Sequence, residues 1–105
     1  MTTQAIRQGM VIGTVEHPVQ GPMLTVGSAA PEFTLTANDW SSRTLADYAD
    51  KIKILSIVPS LDTRVCAAQT RRFNQEAAAL GDNVVVLTIS ADLPYAQRRW
   101  CAAEG

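Results

Sequence analysis

Two segments of this chain abandon the usual alternation of apolar and polar positions, and they frame the rest. KILSIV (53–58) and NVVVLTIS (83–90) are β-branched runs without strict alternation, the pattern of strands covered on both faces in a parallel sheet. Between them Cys66, Phe73, Ala77 and Leu80 fall on one helical face, while Arg71, Arg72, Asn74 and Gln75 turn outward, so the spacing predicts an amphipathic helix. Thr63, or Asp62 just before it, suits the N-cap, and Gly81 suits the stop. Strand, helix, strand in this order predicts a right-handed parallel crossover, whose working site lies beyond the carboxyl ends of the strands. Cys66 falls close to that edge.

The flanks read more locally. Residues 8–26 place short apolar stretches, MVIGTV and MLTV, around the turn signals Gly13 and HPVQGP (17–22), which predicts an N-terminal β-hairpin. EFTLTA (32–37) predicts a short strand and NDWSS a polar turn after it. In TLADYAD (44–50), Leu45, Tyr48 and Ala49 sit three and four apart, enough for one or two helical turns. After the run 83–90, Asp92 is the expected N-cap and Pro94 the first-turn residue of a second helix running through YAQRRWC.

Composition narrows the functions open to such a fold. The 105 residues suffice for one domain that buries about two-thirds of its surface. With 47% hydrophobic and 18% charged residues the chain reads as an ordinary globular one. A net charge of −1, with no basic cluster denser than Arg71-Arg72 and Arg98-Arg99, argues against nucleic-acid or membrane-surface binding. Those pairs read as solvated helix faces. No signal-peptide pattern and no membrane-spanning apolar run is present, so a cytoplasmic location is expected. Two cysteines in a reducing compartment point to free thiols or a transient bridge rather than a permanent one. His17 is the single histidine and reads as a surface-turn residue, leaving too few ligands for zinc. There is no Cys-x-x-Cys pair and no glycine-rich phosphate loop. Trp40, Trp100 and Tyr95 read as packing residues, with Trp100 steadying the Cys101 segment.

Cys66 taken alone fits a small buried hydrophobe as readily as a nucleophile. Three coincidences favour the nucleophile: its place in the first turn of a helix, a threonine one turn earlier, and a second thiol on the next helix of the same sheet edge. Only a thiolate attacks, and lowering a thiol pKa from about 8.5 to about 6 takes roughly 3.4 kcal/mol. A helix terminus supplies about 0.3 to 1 kcal/mol, occasionally about 2. Further stabilisation is therefore required, from the Thr63 hydroxyl and from a cation. Arg64, two residues from Cys66, does not face it on a helix.

The pattern Pro59-x-x-x-Thr63-x-x-Cys66 resembles the active-site motif of peroxiredoxins. VPSLDTRVCAAQTRRFN, ISADLPYAQRRWCAAEG and the N-terminal hairpin together are similar, over nearly the whole chain, to the bacterial thiol peroxidase branch of atypical two-cysteine peroxiredoxins. The resemblance implies an α/β thioredoxin-like fold in a single domain, residues 1–105. It also implies a chain that stops, at CAAEG, before the family's remaining strands, closing helix and thiolate-binding arginine. By the same resemblance Cys66 is the peroxidatic thiol and Cys101 the resolving thiol. Thr63 positions peroxide and sulfur, and Pro59 shelters the thiolate and fixes the loop. The implied substrates are hydrogen peroxide and organic hydroperoxides, the implied reductant is thioredoxin, and the implied assembly is a homodimer. Neither a metal nor an organic cofactor is implied. A disulfide needs Cα atoms within about 7 Å, so bridging two packed helices is expected to require local unwinding at 63–70 and 97–105. The alternative expectation is a weak or inactive thioredoxin-fold module that acts only in binding or dimerisation.

Overall fold

The computed structural model describes residues 6–104, so residues 1–5 and 105, which the single-domain expectation includes, lie outside the described residues. By its contacts the chain divides into two compact units, one up to Pro31 and one from Glu32 onward.

The first unit is the hairpin. Strands β1 (Ile6–Ile12) and β2 (Val15–Gln20) pair antiparallel, with a register shift between Gln8 and Met10. The connection is made at Gly13, whose φ of 64° is open to glycine at no steric cost. Of the two turn signals in the sequence, Gly13 makes the hairpin turn and HPVQGP does not. HPVQGP is not a turn: His17 and Pro18 lie within β2, opposite Met10 and Gln8, and MLTV (23–26) is not a strand. Proline lacks a ladder donor but is tolerated at an edge or bulge, and Pro18 pairs where the register shifts.

In the second unit, β3 (Thr34–Thr36) and β4 (Ser42–Thr44) form a short antiparallel pair, followed by a 3-10 turn at Leu45–Tyr48. Strand β4 was hidden in the sequence because its three residues, Ser42, Arg43 and Thr44, carry no apolar signal. Asp39 organises the connecting turn: its carboxylate accepts the Ser41 N–H at 3.0 Å and the Ser41 hydroxyl at 2.6 Å.

The parallel crossover is present as expected. Strands β5 (Ile52–Val58) and β6 (Val84–Ser90) pair in parallel from Ile52↔Val84 to Val58↔Ser90. Helix α1 (Arg64–Ala77) and a short 3-10 turn (Ala78–Leu80) join them, ending at Gly81 with φ 91°. Helix α2 (Pro94–Glu104) follows β6. Coverage of the sheet is less complete than the apolar runs predicted. Ser56 and Val58 are buried on the face reached by Gln69 of α1, which donates to Ser56 Oγ at 2.9 Å. On the opposite face Ile57 is 69% exposed.

The inward stripe of α1 also differs from expectation in an instructive way. Ala67 and Thr70 are its most buried residues, Cys66, Phe73 and Ala77 are half-buried, and Leu80 is exposed. Thr70 occupies the gap the apolar spacing left between Cys66 and Phe73. Its hydroxyl donates to the Cys66 carbonyl at 2.8 Å, and that bond lets a polar residue fill a core position. The four arginines of the two pairs are exposed, as expected from the sequence, and two of them make surface ion pairs between segments. Arg71 of α1 pairs with Glu104 of α2 at 2.5 Å, and Arg99 of α2 pairs with Asp62 at 3.4 Å, so two ion pairs brace α2 to α1 and its entry loop. No helix among the described residues is long and apolar enough to cross a membrane.

Candidate active site

Beyond the carboxyl end of β5 the chain passes through Pro59 to Thr63 and enters α1. Val58, just before this loop, and Leu61, at its middle, are buried and anchor it. Within it the Ser60 carbonyl accepts the Thr63 N–H at 3.3 Å and the Thr63 hydroxyl at 2.8 Å, closing one tight turn. Thr63 is the N-cap by backbone: its φ and ψ are −97° and 147°, and its carbonyl accepts the Ala67 N–H at 2.9 Å. Its hydroxyl makes no capping bond. Two expectations for that hydroxyl are thereby corrected, because the group is used inside the loop and does not donate to the Cys66 sulfur.

Cys66 is the third residue of α1, half-buried, with a free thiol. In this first turn the backbone N–H groups lack partners within the helix, so they face the end where a sulfur anion is stabilised. Pro59, Thr63 and Cys66 are thus brought together on one loop–helix junction. Cys101 is placed on a different wall. It is exposed on α2 with a free thiol, and the Asn38 side-chain amide lies 4.0 Å from its sulfur. It lines a cavity of about 510 Å³, shared with Asn38, Arg43, Tyr48 and the edge of β6, to which Cys66 does not contribute. The Trp40 and Tyr95 rings meet edge-on at 5.1 Å and tie the β3–β4 turn to the start of α2. Both rings are nevertheless exposed, so the packing expected of them is on each other at the surface and not into the core.

One residue read as a simple cap has a larger part. The Asp92 carboxylate reaches across to the Cys66 loop, accepting the Ser60 hydroxyl at 2.7 Å and the Leu61 N–H at 2.8 Å. Helix α2 instead starts on the Leu93 carbonyl, which accepts the N–H groups of Ala96 and Gln97. No local sequence signal separates these two uses of an aspartate before a proline. The Leu61 N–H, and after it the Ser60 and Ser90 hydroxyls, hold the Asp92 carboxyl below the usual aspartate range against the opposing effect of its partial burial. Asp39 is lowered too, first by the Ser41 hydroxyl.

A folded-state pKa that is depressed favours the charged form in the fold. The stability it contributes is therefore present above the ordinary aspartate value and is lost as pH falls through the folded one. Thermal unfolding midpoints are expected to be level from pH 7 to about 5 and to drop below about pH 4. An Asp92→Asn variant should show a shallower drop; an unchanged acid slope in that variant would remove Asp92 from the cause.

A parallel strand–helix–strand unit with a thiol in the first helical turn, followed by a second thiol-bearing helix, is the mixed α/β arrangement expected of a thioredoxin-like fold. Residues 26–105 match the AhpC/TSA family, and the chain belongs to it. The chain is 62% identical over 85 residues to a thiol peroxidase of Streptococcus sanguinis, covering 81% of this chain and 52% of that protein. It is 62% identical over 80 residues to a thiol peroxidase of Oceanobacillus iheyensis, covering 76% and 48%. Among solved structures, a peroxiredoxin-like protein from Aquifex aeolicus superposes with a TM-score of 0.74 at 38% identity, covering 83% of this chain and 52% of that one. The chain spans about half the length of the curated relatives it matches.

Proposed function

We propose that the chain is a thiol-dependent peroxidase acting on hydrogen peroxide and organic hydroperoxides. The Cys66 thiolate attacks the terminal oxygen of ROOH, the O–O bond breaks, and the departing RO⁻ takes a proton to leave as water or an alcohol. Cys66 is left as a sulfenic acid. N–H groups of the first turn of α1 stabilise negative charge as that bond breaks. Thr63 steers the peroxide, and Pro59 shelters the sulfur and fixes the loop. The Cys101 sulfur then attacks the sulfenic sulfur, forming an intramolecular disulfide and expelling hydroxide, which is protonated to water. A thioredoxin-type dithiol returns two electrons and two protons and regenerates both thiols. The working form is a cytoplasmic homodimer. Bridging Cys66 to Cys101 requires local unwinding of the first turn of α1 and the end of α2.

The observation that carries this reading is the position of Cys66 in the first turn of α1, at the end of a parallel strand, in a chain so similar to thiol peroxidases. A second reading, a thioredoxin-fold module that only binds or dimerises, draws on the thin core: the buried apolar residues among those described are Val58, Leu61 and Ala67. Peroxide consumption coupled to thioredoxin and its NADPH-dependent reductase separates the two. Turnover by the wild type that falls to background in Cys66→Ser supports the peroxidase, and no turnover by either protein supports the module.

A further inference from the structure

The bonds around Asp92 form a continuous path between the two thiol-bearing segments. On the α2 side, the Asp92 N–H donates to Ser90 Oγ at 3.4 Å, and the same oxygen accepts the Gln97 side-chain amide at 3.1 Å. Gln97 stands one helical turn before Cys101. On the α1 side the carboxylate holds the Ser60 hydroxyl and the Leu61 N–H. Ser60 Oγ, having donated to Asp92, accepts the Asp62 N–H at 3.1 Å, and the Ser60 carbonyl closes the turn to Thr63. Alongside, the Pro59 carbonyl accepts the Ala91 N–H at 3.1 Å. Every residue from Pro59 to Thr63 thus takes part in a bond that leads to Asp92 or to its neighbour in the chain.

We propose that Asp92 is a positioning residue that fixes the Pro59–Thr63 loop against the start of α2, and thereby sets how the first turn of α1 presents the Cys66 thiol. The proposal rests on the reading of Cys66 as the reactive thiol, but not on peroxide as its substrate. The choice of side chain follows from the donors. An N–H and a hydroxyl must be accepted at once by one short group, and a carboxylate has two oxygens and no competing donor. Asparagine keeps one oxygen for the Leu61 N–H and can turn its amide toward the Ser60 oxygen, so it preserves part of the clamp. Alanine preserves none. Leu61, 7% exposed, fastens the same loop from its apolar side, so the loop is held in place by a pair of unlike anchors.

The test is the rate at which iodoacetamide alkylates each cysteine of the reduced protein, read site by site by mass spectrometry, with thermal unfolding of every variant. Asp92→Ala is expected to slow Cys66 by about fivefold or more, the effect of losing a charge-assisted hydrogen bond, and Cys101 by less than about twofold. Asp92→Asn should recover at least half of the lost Cys66 rate. Asp47→Ala is the control: its carboxylate fastens Thr44 at 2.7 Å in the β4 turn, so it lowers stability without touching the loop and should leave Cys66 within about twofold. If Asp92→Ala fails to fold, Ser60→Ala is read in its place, with a slowing of about fourfold or more expected, outside the range allowed to the control. An unchanged or faster Cys66, or a slowing that tracks the loss of thermal stability equally in the Asp92 and Asp47 variants, overturns the proposal. Because alkylation uses neither peroxide nor reductant, a chain that shows the expected alkylation pattern but no peroxide turnover would sink the peroxidase reading alone.

Discussion

A Cys101→Ser variant is expected to reduce one equivalent of peroxide per chain and then stop. Cys66 and the first turn of α1 are untouched by the change, so the first attack and the sulfenic acid still form. The second thiol, on α2, is missing, so no intramolecular disulfide closes and a thioredoxin-type reductant is left without its disulfide substrate. Rapid mixing with limiting peroxide should show a burst close to the protein concentration, followed by steady-state turnover at least about a hundredfold below wild type, in keeping with the loss of a residue that acts covalently. Dimedone should trap the sulfenic acid at Cys66. The same variant isolates the unwinding step. Oxidised wild-type protein is expected to exchange amide protons faster than reduced protein at residues 63–70 and 97–104, whereas the variant shows no such difference. Sustained turnover by Cys101→Ser would assign resolution to another thiol source and take Cys101 out of the cycle.

The second large effect is on stability. Leu61→Ala is expected to cost about 2 to 5 kcal/mol, the range for removing a buried leucine side chain. That is a large part of the 5 to 15 kcal/mol typical of a small domain. The residue is 7% exposed, and it shares the buried apolar set with only Val58 and Ala67 among the described residues. Urea unfolding would show a lower midpoint with little change in slope. A change under about 1 kcal/mol would mean that the loop side of Leu61 contributes little to the fold.

Elements whose signal was both local and apolar were legible in the chain itself. The runs ending at Val58 and Ser90 became the parallel pair, and the segment between them became a helix beginning at Arg64. A β-branched run has few alternatives to a strand, and an apolar stripe interrupted by arginines has few alternatives to a helix. Where the signal was polar or shared between two outcomes, the reading failed. HPVQGP looks like a turn because proline and glycine favour turns, yet the hairpin turned at Gly13 and left Pro18 in a strand. Thr70 is absent from the apolar stripe, yet it is buried because its hydroxyl is satisfied by the Cys66 carbonyl.

At the site the division is similar. Pro59, Thr63 and Cys66 fall within a span of eight residues covering one loop and a helix start, so their proximity is fixed by the chain. What the sequence determined by itself is the crossover and the placing of one thiol in the first turn of its helix, because both depend on backbone geometry over a few residues. Only the tertiary structure decided where the side-chain bonds go. The Thr63 hydroxyl turned back to Ser60, Asp92 left its own helix for the loop of another, and Cys101 faced a cavity beside Asn38. Each of these groups has several partners of comparable strength within reach of an unfolded chain. Which one it takes is set by the segments that packing brings alongside.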